Sequence, residues 1–205
     1  MSTGAERVDE RVDEQLDGED WALDELTRVT FTRCGFTEVD LTEAVLAGCT
    51  FEECRFALCR FNAAVLRGCA LLRCELRRCS FFGATLEECK LAGTQFLECD
   101  LLPLTVRGGD WSYAVLRGEN LRGTDLAGLR LREADLGDAD LRDVDLRGAD
   151  LGYARLRHAQ LAGADLRGAD LTGVRLREVD VDQVRIDLAQ AALFATAHGA
   201  VVEAT

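Results

Sequence analysis

The amino-acid sequence predicts an all-β solenoid, and two regularities carry that expectation. Stepping by five from Leu26 to Ile186 meets 33 positions, each of them Leu, Phe, Val, Ile or Trp, with leucine at 22. A helix repeats its faces every 3.6 residues and a strand every 2, so a strict five requires another chain path. The phase never slips, which makes the segment one repeat array without loops. The second regularity is glycine: 12 of the 19 glycines stand two residues after the apolar position.

The remaining positions define the unit. With the apolar residue at position i, position i−2 is small or β-branched, as in Ala134, Ala139, Val144 and Ala149. Residues two apart in an extended segment share a face, so i−2 and i point inward and i−1 points outward, where Asp125, Asp165 and Asp170 stand. Glycine at i+2, as at Gly123 and Gly148, marks a corner. Each unit is thus three extended residues and a bend, and a chain that turns the same way at each bend winds into a solenoid. Its coils stack like strands, which satisfies the backbone N–H and C=O groups and encloses a narrow core.

Runs such as "ADLRGADLTGV" and "ADLGDADLRDVDL" resemble the pentapeptide repeat family, A(D/N)LXX. The resemblance implies a right-handed quadrilateral β-helix with four units per coil over residues 21–186. The segments "LLPLTVRGGDWSYAVLRGENLRG" and "RIDLAQAALFATAHG" are similar to the MfpA/Qnr group of fluoroquinolone-resistance proteins. That likeness implies a homodimer that imitates duplex DNA and binds DNA gyrase, and by extension topoisomerase IV, while nine free thiols, an odd count, suit a cytoplasmic protein. Four units per coil can be tested on the cysteines, because residues twenty apart should then stack. All nine lie at i−2 in three columns: Cys34, Cys54 and Cys74; Cys49, Cys69 and Cys89; Cys59, Cys79 and Cys99. Ala44, Ala64 and Ala84 form the fourth. In this phase a cysteine is expected to act as a small buried hydrophobe rather than as a metal ligand, and stacked neighbours ~4.8 Å apart do not suit a disulfide.

Composition bounds the rest. The first twenty residues hold eight acids and two arginines with little to bury, and read as a disordered acidic tail, with Trp21 opening the first coil. The formal charge of −13 divides into −6 for that tail, −3 for residues 21–100 and −4 for residues 101–205. The rod is then far less charged than DNA of its length, so imitation requires local density and a contact face free of the i+1 arginines. The densest stretch is a belt of Glu133, Asp135, Asp138, Asp140, Asp143, Asp145 and Asp150, against Arg142 and Arg147. Such a belt suits a basic DNA-binding saddle. Two histidines and three serines form no nucleophile–base grouping. Neither a cofactor nor a metal is called for, no apolar run is long enough to span a membrane, and the negative charge disfavours nucleic acid as a ligand.

Two segments depart from the rule. Around Pro103 the inward positions carry Leu104, Gly109 and Trp111, which predicts a kinked or repacked coil, with Leu97, Leu102 and Tyr113 as an alternative apolar contact patch. After Ile186 the period ends, and residues 187–205 read as a C-terminal helix and tail, the helix having Asp187 as N-cap, Gln190 completing a capping box and Gly199 as the stop. Its apolar residues Leu188, Ala191, Ala192, Phe194 and Ala195, with Val201 and Val202, are expected to cap the rod and join two subunits.

Overall fold

The computed structural model describes residues 9–203, and from residue 9 to 186 the chain winds into roughly nine square coils of four units. Each coil lies on the next with a shift of twenty residues: Phe31 pairs with Phe51, Leu66 with Leu86 and Leu76 with Phe96, all in parallel register. Isolated bridges, such as Asn120 with Asp140 and Asp140 with Gln160, continue that register toward the C-terminus. Four faces result. The first runs through Phe31 and Phe51, the second through Phe36 and Phe56, the third through Leu41 and Phe61, and the fourth through Leu46 and Leu66.

Two kinds of corner join the faces, and the residue at i−2 follows the kind. On the third face as far as Phe81, at Leu91, and at every corner from Trp111 to Val174, the amide at i−2 returns to the carbonyl of the preceding i, as from Ala44 to Leu41 at 3.1 Å. On the other three faces of the N-terminal half, Leu91 excepted, the corner is an open bend, so the strand extends from i−1 to i+1, one residue later than the sequence suggests. The carbonyl of i then lacks the turn bond. A cysteine one coil above supplies the donor instead: Cys54 Sγ lies 3.4 Å from the Phe31 carbonyl, and Cys74 Sγ 3.3 Å from that of Phe51. Thr94, next in that column, donates to Leu71 at 2.7 Å. The thiols are therefore buried hydrogen-bond donors as well as space-fillers, which corrects the purely hydrophobic reading, and burial pushes the Cys34 thiol up. Cys74→Ala should cost about 1–3 kcal/mol by stripping the Phe51 carbonyl of its donor, with Cys74→Thr close to the parent. Denaturant titration checks this, and equal losses in the two variants would remove the donor role.

The core is a single column of i and i−2 side chains. Its N-terminal half is an aromatic ladder in which Phe31 stacks on Phe51 at 5.0 Å and Phe36 on Phe56 at 4.5 Å. The segment around Pro103 does repack without interrupting the rod: the Gly83 amide still donates to the Pro103 carbonyl across coils. Gly109 adopts φ +108°, and a Cβ there would collide with the Cys89 carbonyl oxygen. Trp111, two residues further on, is fully buried. The three residues of the expected apolar patch do not share one surface: Leu97 belongs to the second face, Leu102 to the third and Tyr113 to a corner, where its hydroxyl donates to Glu133 at 3.1 Å.

Both ends differ from the expectation. Residues 9–20, read as part of a disordered tail, form the first coil: Glu10–Val12 pairs with Thr30–Thr32, Gln15–Asp17 with Gly35–Thr37, and Leu16 is buried. Residues 1–8 lie outside the described residues. The period is hidden in this coil because an end coil faces water, so Arg11 occupies an i position and Asp9, Glu14, Glu19 and Asp24 the i−2 positions. At the other end the helix Leu188–Ala197 has the capping box of Asp187 and Gln190, and Gly199 follows at φ +93°. Gln190 Nε2 donates to the Leu166 and Ala169 carbonyls at 2.5 and 3.0 Å, and Phe194 is buried on the last coil. Phe194 is therefore part of this chain's own lid, with Ala192 and Ala195 half-buried. Leu188, Ala191, Val201 and Val202 of the expected dimer face are exposed, together with Leu193.

Candidate functional site

The acidic belt is a ring. Asp135 lies on the second face, Asp140 on the third, Asp145 on the fourth and Asp150 on the first, with Glu133, Asp138 and Asp143 at the intervening corners. A flat partner can touch only one side of such a ring. Nor are these carboxylates free. Asp140 and Asp145 are gripped by Arg142 and Arg147 of their own units at 2.5 and 2.6 Å, and those guanidiniums hold both carboxyls below the usual carboxylate range. Asp143 pairs with Arg122 at 3.0 Å, Asp138 with Arg117, Asp135 with Arg155 at 3.5 Å and Asp150 with Arg132 at 3.8 Å. The structure thus brings the seven into one coil but not onto one surface.

A different negative surface emerges along the rod. The outward positions of the third face carry Asp20, Asp40, Asp100, Asp140, Asp180 and Asp182 against Arg60, Arg122 and Arg142. Its edges add Glu38, Glu98 and Asp138 on one side, with Arg78 paired to Glu98 and His158 beside Asp138, and Glu43 and Asp143 on the other. Among the described residues Asp20, Glu38, Glu43, Asp100, Asp180 and Asp182 make no ion pair. Asp40, by contrast, is lowered to about 2 by Arg60, Thr42 and the Thr42 amide. At the N-terminal end this face merges with the first coil, where residues 9–25 hold nine carboxylates and the single base Arg11. Among the described residues Asp13 pairs there with Arg33 at 2.7 Å and Glu14 with Arg11 at 2.6 Å. Sequence reasoning missed this collar because it assigned the residues to a tail; the buried phase of Leu16 and Trp21 was the available signal.

The second face has the opposite character. Its outward positions carry Arg55, Arg77, Arg117, Arg155, Arg157, Arg175 and Arg177 against Asp17, Glu75 and Asp135. The arginines are therefore partly sorted to one side, which leaves the third face the most negative.

One carboxylate is buried inside. Glu119 occupies an i−2 position above Cys99, 4% exposed, and accepts the Cys99 amide at 3.1 Å. Burial pushes its pKa up. A raised folded-state value means that Glu119 favours folding when protonated, and that this contribution is lost as pH rises through the folded pKa. Glu119→Gln should therefore raise the melting temperature at neutral pH, and the gain should shrink on acidification toward the ordinary glutamate pKa. A gain independent of pH would show that ionisation is not its source.

Two family models match the chain: pentapeptide repeats over residues 106–138 and 139–178, and a pentapeptide repeat region over residues 24–102. The chain belongs to the pentapeptide repeat family. Its coils are the right-handed quadrilateral β-helix of that family. A trypsin-treated variant of QnrB1, described as a plasmid-mediated fluoroquinolone resistance protein, superposes with a TM-score of 0.75 and 23% identity, covering 96% of this chain and 98% of that one. Full-length QnrB1 gives 0.65 and 22%, covering 93% and 100%. HetL, a pentapeptide repeat protein involved in heterocyst differentiation regulation from the cyanobacterium Nostoc sp. strain PCC 7120, is 29% identical with a TM-score of 0.43, covering 86% and 84%. No curated protein matches it in sequence. No helix among the described residues is long and apolar enough to cross a membrane.

Proposed function

We propose that this chain is a non-enzymatic protein that binds DNA gyrase as a duplex-DNA imitator and thereby modulates the enzyme or protects it from quinolones or other gyrase poisons. The observation that carries the reading is the third face, where carboxylates without an ion pair among the described residues occur at both ends and in the middle of a rod of ~40 Å, about the rise of one turn of B-DNA. The full-length superposition on a fluoroquinolone resistance protein supports it. Of the belt, Asp138, Asp140 and Asp143 belong to this contact, while Glu133, Asp135, Asp145 and Asp150 lie on other sides of the rod. The collar extends the same negative surface to the N-terminal end.

The ends favour pairing of two copies through residues 187–205. The N-terminal coil places acids at inward positions and resists stacking, whereas the C-terminal end presents Leu188, Leu193, Val201 and Val202 to solvent. Two rods joined there would double the length of the negative face. A second reading, a scaffold for an unrelated protein partner, is favoured by the basic second face, which duplex DNA does not resemble.

Supercoiling and cleavage assays with purified gyrase decide between them. On the proposed reading the protein inhibits supercoiling and lowers fluoroquinolone-induced cleavage, competitively with DNA. Unchanged activity in both assays, with the protein folded, would leave the scaffold reading.

A further inference from the structure

The second face contains a groove of about 430 Å³ lined by Arg117, Arg155, Arg157 and Arg175, with Asp135 and Glu178 as its only carboxylates. Gly137 forms part of its floor. A Cβ there would sit 3.3 Å from Arg117 Nη1, so the missing side chain lets the guanidinium lie across the glycine. Asp138 fixes Arg117 in that position through Nη2. Arg155 and Arg175 reach their carboxylates only at 3.5 Å, long for a charge-assisted bond, and keep most of their N–H donors. Arg157 makes no ion pair among the described residues. Four guanidiniums against Asp135 and Glu178, with Asp138 behind Arg117, leave an excess of one positive charge in one concavity.

We propose that this groove binds a small polyphosphate, held by Arg117, Arg155, Arg157 and Arg175. Guanidinium forks match phosphoryl oxygens in pairs, and four of them converging on one groove with most of their N–H donors open suit a compact anion. The chain's formal charge of −13 opposes an extended polyanion, whose remote phosphates would meet the acidic third face and collar. The inference does not depend on gyrase binding.

Calorimetric titration of the full chain with inorganic pyrophosphate at low ionic strength tests it. Saturable binding at one site per chain is expected, weakened at least tenfold in the Arg155→Gln, Arg157→Gln double variant and unchanged in Arg55→Gln, Arg77→Gln, which removes two charges from the same face outside the groove. Circular dichroism establishes that both variants fold. ATP binding with equal or greater strength would support the assignment and identify a nucleotide as a source of the polyphosphate. Absence of saturable binding would overturn the proposal, as would equal weakening in the two variants. A short DNA duplex that displaced pyrophosphate at physiological salt would overturn the small-ligand assignment in favour of backbone phosphates.

Discussion

Replacing Phe56 by alanine is expected to cost about 3–5 kcal/mol, because the ring lies fully inside the coil and no neighbour can collapse into its place. It stacks on Phe36 at 4.5 Å and meets Phe51 and Phe61 edge-on at 5.5 and 5.8 Å. Those rings are held by strands registered on both sides, so the cavity cannot close without breaking the ladder between Arg55–Ala57 and Gly35–Thr37. Arg147→Ala provides the contrast. Its guanidinium bonds only to Asp145, within its own unit, and stands in water, so the melting temperature should scarcely move. Denaturant titration of the two variants compares them, and similar losses would contradict the division into inside and outside.

The largest functional effect is expected on the third face. Glu38→Gln, Glu43→Gln, Asp100→Asn and Asp180→Asn together remove four carboxylates that make no ion pair among the described residues, while retaining size and polarity. Inhibition of gyrase should weaken at least tenfold, with a flatter salt dependence. Asp125→Asn, Asp145→Asn, Asp150→Asn and Asp170→Asn remove the same charge from the fourth and first faces and should weaken it much less. Equal effects would mean that gyrase senses total charge. If both sets inhibit like the parent while Glu10→Gln, Asp17→Asn, Glu19→Gln and Glu25→Gln abolish inhibition, the contact belongs to the N-terminal coil.

Much of the architecture was legible because it rests on volume. The apolar fifth residue, the small residue two before it and the twenty-residue columns of Cys and Ala follow from a bore of fixed width, and all reappear at the expected positions. The capping box at Asp187 and Gln190 was equally local and equally readable. What failed depended on water or on winding. At the N-terminus, Arg11 and the acids at Glu14, Glu19 and Asp24 replace the core pattern because that coil has solvent on one side. The belt looked like one surface because its acids are close in sequence, yet each five-residue step turns the chain to the next side. Its neutralisation was concealed similarly, since Arg117 and Asp138, or Arg122 and Asp143, are 21 residues apart and meet only after a full coil. The thiol role was hinted at by Thr94, a hydroxyl in a cysteine column.

The twenty-residue shift between coils also bears on how fast the chain folds. The backbone bonds that join coils connect residues 19 to 21 apart, as from Leu41 to Arg60 and from Thr30 to Asp9. None requires distant parts of the sequence to meet, unlike the pairings of a sandwich or closed barrel. Divided by the length of the chain, that separation gives a relative contact order of about 0.1, within the range of small helical bundles. Loop-closure entropy is lost in small equal steps, and each finished coil is a template for the next. Growth of this kind needs a defined stopping point. The polar first coil and the lid of Gln190 and Phe194 supply one at either end, so elongation by foreign strands is blocked along the same axis on which the chain itself assembles.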